Sequence, residues 1–249
     1  MISRKTPEEI AIMREGGHML AQIMKKLILE VAPGVSTGQL DKIAERRIRE
    51  AGAKPAFLNY QGFPRTMCTS VNEEVVHAIP SEERILEAGD IVSLDLGLIH
   101  KGYYSDMART IPVGGIVPET TRLVQVCKDA LRLGEEKARP GITTGDIGNT
   151  IQRFVESKGF GIVRELCGHG IGKDLHEEPQ VLNYGERKAG VKLEEGMVIC
   201  IEPMITMGDW NVKRARDGQT FVTRDGSLSA HFEDTVAITS KGSEVLTSL

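Results

Sequence analysis

Apolar residues recur at helical spacing near the start of the chain. They lie three or four positions apart, at Ile10, Met13, Gly17, Leu20, Met24 and Leu27, which places them on one face of a helix. The preceding Thr6-Pro7-Glu8-Glu9 combines a capping hydroxyl, a proline suited to the first helical position and a reciprocal glutamate. The pattern predicts a helix that begins at Pro7 and is stopped by Pro33-Gly34. A second amphipathic segment predicts a helix from Thr37 to about Gly52.

The second helical segment and its flanks have a counterpart later in the chain. Matching residues are separated by a constant 107 positions: Pro33-Gly34, Ser36-Thr37-Gly38, Leu40, Arg46, Ile48 and Gly52 correspond to Pro140-Gly141, Thr143-Thr144-Gly145, Ile147, Arg153, Val155 and Gly159. At the same offset the strand that ends in Asp95 falls on the strand that ends in Glu202. Chance similarity between two helix-strand segments is the alternative, but an offset kept over about 70 residues favours an internal duplication.

The duplication predicts an α+β fold built from two related halves, about residues 1–112 and 113–249. Such halves are expected to pack around a pseudo-twofold axis, with strands in the middle and helices outside. No low-complexity or linker-like stretch separates the halves, so residues 1–249 are expected to form a single domain.

A run of alternating residues brings an acidic side chain to one face of a predicted strand. From Ile91 to Ile99 one face is aliphatic, and the other face carries Asp95. A turn at His100-Lys101 would place Asp106 of the returning strand directly opposite Asp95. Two carboxylates about 4 Å apart repel by on the order of 4 kcal/mol at an effective dielectric constant near 20. The pair must therefore share a proton or bind a cation.

The repeat favours the cation. Glu202 reaches the axis as the counterpart of Asp95, and Glu233 begins the apolar strand around Val236 and Ile238. Four carboxylates at one axis would balance two divalent ions. Taken singly, an Asp or Glu is usually a surface residue, but Asp95 and Glu202 each interrupt an apolar strand, and Pro203 ends the second strand where a site would open.

Histidines supply further candidates. His169 lies between glycines in Cys167-Gly168-His169-Gly170, where the backbone can approach a bound ion closely, so it is a candidate nitrogen ligand. His176 lies in Leu175-His176-Glu177-Glu178, which lacks the second histidine of a single-zinc HExxH helix. His77 ends an apolar run, and the pattern leaves open whether it is a buried hydrogen-bonded residue or a substrate contact.

Composition narrows the possible functions. The chain has 249 residues, of which 40% are hydrophobic and 27% charged, enough for one sizeable core. The net charge of -4 gives no global reason to bind nucleic acid or a membrane. We expect a cytoplasmic protein without a membrane segment, because no secretory signal and no apolar run of roughly 18 residues occurs. Serine-elbow, phosphate-loop and dinucleotide motifs are also missing.

Five long strings resemble those of type I methionine aminopeptidases of the bacterial form, in peptidase family M24. They are SVNEEVVHAIP, DLGLIHKGYYSDMARTIPVG, GHGIGKDLHEEPQV, EEGMVICIEPM and SLSAHFEDTVAIT, and the resemblance covers nearly the whole chain. It implies the pita-bread fold, with a central antiparallel sheet. The activity implied is removal of the initiator methionine from nascent proteins by hydrolysis assisted by two metal ions, with preference for a small second residue.

The resemblance also implies a role for each matching position. Asp95 would bind one metal, Asp106 and Glu233 would bridge both, and His169 and Glu202 would bind the other. Glu202 would also accept a proton during hydrolysis. His77 would contact the scissile amide, and His176 would stabilise the developing oxyanion. The methionine side chain would lie among four residues, Tyr60, Phe63, Cys68 and Leu175, although plain core packing is the alternative reading, above all for Leu175.

The implied partners and the departures from the pattern complete the prediction. The cofactors would be two divalent ions, with Co, Mn, Fe and Zn all compatible. Nascent polypeptides would be the substrates, near the ribosomal exit site, and the protein would be a monomer.

Gln219 replaces a common tryptophan, which leaves the shape of the methionine pocket open. His231 replaces a common glutamine near Glu233, and we predict that it alters the acid limb of the pH-rate profile.

Two other functions share parts of this pattern. Xaa-Pro dipeptidases and aminopeptidases use the same five ligands, but they usually carry an additional N-terminal domain. A pita-bread binding module without catalysis would have no reason to keep all five ligands and both His77 and His176.

Overall fold

Four helices flank an extended antiparallel sheet in the computed structural model, which describes residues 2–248. The helices are α1 (Pro7–Ile28), α2 (Thr37–Glu50), α3 (Pro118–Lys137) and α4 (Thr144–Ser157), and a short 3-10 turn spans Tyr60–Gly62. The predicted start of α1 is confirmed, because Thr6 and Glu9 form a reciprocal capping box. No helix within residues 2–248 is long and apolar enough to cross a bilayer.

The strands are mostly short, and two long ones form a central hairpin. In chain order they are β1 (Lys54–Pro55), β2 (Met67–Val71), β3 (Glu74–Val76), β4 (Ile91–His100), β5 (Tyr103–Pro112), β6 (Gly161–Ile162), β7 (Gly168–Gly170), β8 (Glu177–Val181), β9 (Val198–Ile201), β10 (Met204–Thr206), β11 (Val212–Arg214), β12 (Phe221–Thr223), β13 (Ser229–His231), β14 (Glu233–Thr239) and β15 (Gly242–Val245).

The main sheet has nine strands and runs β1-β4-β5-β14-β9-β7-β8, with β2 beside β4 and β15 beside β14. All of its pairs are antiparallel. One apolar cluster lies between the sheet and helices α1 and α2, and a second lies between the sheet and helices α3 and α4. The predicted α+β class, with a central antiparallel sheet and outer helices, is confirmed.

The two halves repeat one another in their hydrogen bonds. The N–H of Gly34 donates to the carbonyl of Leu86 at 2.8 Å, and the N–H of Gly141 donates to the carbonyl of Leu193 at 2.9 Å. Both donor and acceptor are shifted by 107 residues. Ser36 and Thr143, at the same offset, each cap a helix through a reciprocal box. These repeated contacts support the interpretation of an internal duplication.

The register of the central hairpin corrects one prediction. The turn lies at Lys101-Gly102, not at His100-Lys101, so Asp95 pairs with Ala108 and Asp106 pairs with Gly97. Both turn residues have positive φ, 49° at Lys101 and 85° at Gly102, the conformation of a two-residue hairpin turn with glycine second. A shift of two residues keeps both carboxylates on the same face of the sheet, where they are diagonal neighbours.

Candidate metal centre

Neighbouring strands of the main sheet bring the five predicted ligands together. Asp95 lies on β4, Asp106 on β5 and His169 on β7, while Glu202 directly follows β9 and Glu233 begins β14. Alternation along β4 explains the placement of Asp95, because Val92, Leu94, Leu96 and Leu98 face the apolar cluster under α1 and α2. The opposite face therefore carries the carboxylate into the middle of the molecule.

The ligand atoms lie within reach of common ions. Carboxylate oxygens of Asp95, Asp106 and Glu233 all lie within 4.8 Å of one another. The Nε2 atom of His169 is 3.6 Å from Glu202 Oε1 and 3.9 Å from Glu233 Oε1. Glu233 thus belongs to both groups, with the two aspartates on one side and the pair His169 and Glu202 on the other.

Burial makes the charged forms of these carboxylates costly. Loss of solvent raises the pKa of Asp95, Glu202 and Glu233 well above the usual carboxyl range, and the charges of the neighbouring acids raise it further. Burial also raises the pKa of Asp106, to about 7. Without a cation the cluster would hold extra protons at neutral pH.

The residues fit divalent cations. Asp95 Oδ1, Asp106 Oδ1 and Glu233 Oε1 are buried and make no hydrogen bond within the described part of the chain. Within residues 2–248 no Lys or Arg forms an ion pair with the four carboxylates; their basic contacts are imidazoles. Buried, unpartnered oxygen atoms that share one enclosed region require a compensating charge. Carboxylates with an imidazole form a donor set that Mn, Fe, Co and Zn accept.

The setting of His169 leaves one ring nitrogen free. A Cβ atom at Gly168 would collide with the carbonyl of Cys200, and one at Gly170 would collide with the carbonyl of Glu178. The glycines therefore allow β7 to fit closely between its neighbours. Nδ1 of His169 lies 2.8 Å from the carbonyl of Gly170 and donates to it, which leaves Nε2 as an acceptor facing the carboxylates. Burial lowers the pKa of His169 to about 3, so the ring is neutral at pH 7.

His77 and His176 face the same space from two loops. His77 follows β3 and has a positive φ of 60°, a strained conformation for a residue with a side chain. The walls around it desolvate the ring and lower its pKa to about 4. His176 packs edge-on against His169, with ring centroids 4.4 Å apart, and its Nδ1 lies 2.8 Å from Tyr60 Oη.

All eleven predicted site residues line one cavity of about 350 Å³. They are Tyr60, Phe63, Cys68, His77, Asp95, Asp106, His169, Leu175, His176, Glu202 and Glu233. Phe63, Cys68 and Leu175 are buried, and they pack in one apolar cluster with Tyr60 at its margin. The cavity therefore joins the ligand cluster to an apolar wall.

The structure adds residues that the sequence did not single out for the site. Phe57, Gln61 and Arg214 also line the cavity, together with Gln219, which was known only as a departure from the family pattern. No periodicity or motif marks the first three. His231 lies beside the ligands, with Nε2 3.7 Å from Glu202 Oε2, and its position two residues before Glu233 was the available signal.

Comparisons with known proteins agree with this geometry. Residues 11–240 match metallopeptidase family M24. The chain is 47% identical to a methionine aminopeptidase of Clostridium acetobutylicum over 247 residues, which cover 99% of each protein. A crystal structure of methionine aminopeptidase from Rickettsia prowazekii superposes with a TM-score of 0.98 at 40% identity and 100% coverage of both chains.

A more distant likeness concerns the dipeptidase alternative. The prolidase of Pyrococcus horikoshii superposes with a TM-score of 0.78 at 27% identity, over 98% of this chain and 63% of the prolidase chain. The fold shared with these structures is the pita-bread fold that the sequence predicted. By its family match and its near full-length relatives, the chain belongs to metallopeptidase family M24.

Proposed function

We propose that the protein is a methionine aminopeptidase that removes the N-terminal methionine from polypeptides. The main observation in support is the cavity in which five candidate ligands lie next to an apolar wall. A methionine side chain is unbranched and polarizable, so it suits a wall that combines Phe63, Cys68 and Leu175. The name of the Clostridium acetobutylicum relative, 47% identical over almost its full length, supports the same activity.

Two divalent cations are assigned to the ligand cluster. Asp95 would hold one ion, His169 and Glu202 the other, and Asp106 with Glu233 would contact both. Glu233 belongs to both groups of closely spaced atoms, which supports its place between the two ions, whereas the place of Asp106 is carried over from the family resemblance. When bound, the cations polarise the scissile carbonyl and lower the pKa of water, which favours hydrolysis at neutral pH. Mn, Fe, Co and Zn all suit these donors, and availability selects among them.

The remaining groups handle protons and orient the substrate. Glu202 would accept a proton on a carboxylate oxygen during attack, a role that its desolvated position favours. His77 and His176 lie on the cavity wall and would contact the scissile amide and the developing oxyanion as hydrogen-bond partners. Tyr60 would hold His176 in place through the 2.8 Å contact with Nδ1.

The cellular setting follows from this activity. Residues 1–249 would form one catalytic domain made of two duplicated halves, acting as a monomer in the cytoplasm. Its substrates would be nascent polypeptides near the ribosomal exit site, with a small second residue favoured. The 107-residue offset shared by the hydrogen bonds of the two halves supports the duplication.

The two alternative functions predict different substrate behaviour. An Xaa-Pro peptidase would cleave an Xaa-Pro dipeptide faster than a methionyl peptide, and the lower identity to prolidase, 27%, makes this the weaker candidate. A binding module would bind peptide without cleaving it, whatever metal is supplied.

A metal titration tests the proposal. Stripped protein is titrated separately with Mn, Fe, Co and Zn while methionine release from Met-Ala-Ser is measured, with Leu-Ala-Ser and an Ala-Pro dipeptide as controls. We expect release only from Met-Ala-Ser, and loss of release in Asp106→Ala and Glu233→Ala. Preference for Ala-Pro would show that the protein is an Xaa-Pro peptidase instead. Absence of cleavage with every metal would favour the binding-module alternative.

A further inference from the structure

The buried imidazole of His231 has no hydrogen-bond partner among residues 2–248. His231 ends β13, its side chain is 2% exposed, and neither Nδ1 nor Nε2 makes a hydrogen bond to any of these residues. A buried polar atom that remains unpaired costs about 1–3 kcal/mol. The site should therefore supply this ring with a partner.

Two carboxylates already proposed as metal ligands face the ring. Nε2 of His231 lies 3.7 Å from Glu202 Oε2 and 4.0 Å from Glu233 Oε2. Nε2 of His169, in contrast, lies nearest to Oε1 of each glutamate. The two imidazoles thus approach the same two carboxylates from different sides.

The spacing fits ligands of a common ion better than hydrogen bonds. Both distances from Nε2 of His231 exceed the usual hydrogen-bond length of about 3.2 Å. Two donor atoms bound to one ion at about 2.1 Å lie roughly 3 Å apart at a right angle and about 4.2 Å apart when opposite. The observed separations fall within that interval.

A local symmetry between β5 and the segment of β13 and β14 gives independent support. Asp106 N–H donates to Thr235 Oγ1 at 3.0 Å, and Thr235 Oγ1 donates to the Asp106 carbonyl at 2.8 Å. His231 makes the same pair of contacts with Thr110 Oγ1, at 2.8 and 2.9 Å. Both Asp106 and Thr110 are related to their counterparts by 125 positions. His231 therefore occupies in the second half the place that Asp106 occupies in the first.

We propose that Nε2 of His231 is an additional ligand of the cation held by His169, Glu202 and Glu233. The proposal rests on the two-ion site of the proposed function and adds to it a second imidazole donor. A ring nitrogen that makes no hydrogen bond can offer its lone pair to a cation. His231, the counterpart of the proposed aspartate ligand Asp106, would bind the cation through an imidazole nitrogen, so the carboxylates would supply the negative charge of the cluster.

Proton NMR of the Co(II)-loaded protein counts the bound imidazoles. Each ligating ring should give one strongly contact-shifted, exchangeable N–H signal, because contact shifts are transmitted through the metal-ligand bond. We expect two such signals in the parent, one in His231→Gln and one in His169→Gln. Glutamine can still hydrogen-bond to Glu202, so the variant separates ligation from hydrogen bonding. His18→Gln, at an exposed histidine of α1, is the matched control and should retain both signals.

Calorimetric titration with Co(II) gives a second measure. We expect His231→Gln to raise the dissociation constant of one of the two ions at least tenfold and to change that of the other by no more than about twofold. A single contact-shifted imidazole in the parent, present in His231→Gln and absent in His169→Gln, would overturn the proposal even if the His231 variant folded poorly. A parent that binds no Co(II) would instead reject the two-ion site of the proposed function.

Discussion

Arg109 and Asp234 form a buried bidentate ion pair directly behind the ligand cluster. Nη2 of Arg109 donates to Oδ1 and Oδ2 of Asp234 at 2.8 and 2.9 Å, and the side chains are 10% and 6% exposed. Nη1 of Arg109 donates to the carbonyl of Glu233 at 2.6 Å. The pair thus connects β5 to β14 next to Glu233, a proposed metal ligand and the first residue of β14.

Loss of one partner should destabilise the fold strongly. In Asp234→Ala the guanidinium of Arg109 would remain buried without its counter-ion, and we expect the free energy of unfolding to fall by about 3–5 kcal/mol. Urea denaturation measures the change. Glu50→Ala is the control, because Arg46 and Glu50 are 62% and 64% exposed and 3.9 Å apart, so a change below about 0.5 kcal/mol is expected. Similar losses in both variants would contradict the structural role.

The contact between Tyr60 and His176 predicts a kinetic effect. Tyr60→Phe removes a hydrogen bond worth about 0.5–1.5 kcal/mol, so kcat should fall about 2- to 10-fold with little change in KM. His176→Ala should cost about 100-fold in kcat if the ring stabilises the oxyanion. In the double variant, the loss of Tyr60 Oη should have no further effect, because its partner is already absent.

Steady-state kinetics with Met-Ala-Ser checks this coupling. Tyr103→Phe serves as the matched control, since Tyr103 donates its hydroxyl to Glu9 and does not line the cavity. Additive losses in the double variant would show that Tyr60 and His176 act separately.

Arg214 predicts a preference beyond the first two substrate residues. Its exposed guanidinium lies 5.1 Å from the ring of Phe221, on the cavity wall beside Gln219. An acidic side chain that reaches this wall should gain about 0.5–1 kcal/mol, which corresponds to a 2- to 5-fold higher kcat/KM. We expect Met-Ala-Glu to exceed Met-Ala-Gln by this factor at low salt, and Arg214→Gln to abolish the difference. A ratio that is independent of both salt and Arg214 would exclude this contact.

Sequence patterns located the proposed ligands better than the register of the strands that carry them. Asp95 and Glu202 were identifiable because each interrupts an apolar strand at the same place in a repeat. The turn was predicted one residue too early. The preference of a two-residue turn for glycine at its second position would have indicated Lys101-Gly102 instead. The predicted proximity of Asp95 and Asp106 was still correct, because a two-residue shift in register leaves each side chain on its original face.

Other parts of the site carry no periodic signal. Phe57 lies in a loop, Gln61 in the short 3-10 turn and Arg214 at the end of β11. The tertiary packing of those segments alone brings them to the cavity. The Arg109–Asp234 pair was likewise not predicted, because a charged residue in a strand is usually solvated. The sequence patterns therefore did not predict which residues from distant segments line the cavity.

The buried carboxylates predict how the stability of the metal-free protein depends on pH. Burial raises the pKa of Asp95, Glu202 and Glu233 well above its unfolded value and that of Asp106 to about 7. Such groups stabilise the fold below their unfolded pKa of about 4, and this contribution is lost as the pH rises through the folded pKa. The imidazoles of His169 and His231, with pKa lowered to about 3, act in the opposite sense, but only below about pH 6.5.

Between pH 6.5 and 8.5 the four cluster carboxylates and the partly buried Glu135, whose pKa burial raises to about 8, still titrate. Chelator-treated protein should therefore become less stable as the pH rises, by up to about 1.4 kcal/mol per unit for each group. Thermal unfolding in EDTA should therefore show a lower Tm at pH 8.5 than at pH 6.5. Asp95→Asn, which removes one titrating group, should flatten this dependence. Saturating Mn(II) should reverse the trend, because cations displace the protons and bind more tightly at higher pH. A Tm that rises with pH in EDTA would mean that the cluster is already ionised without metal.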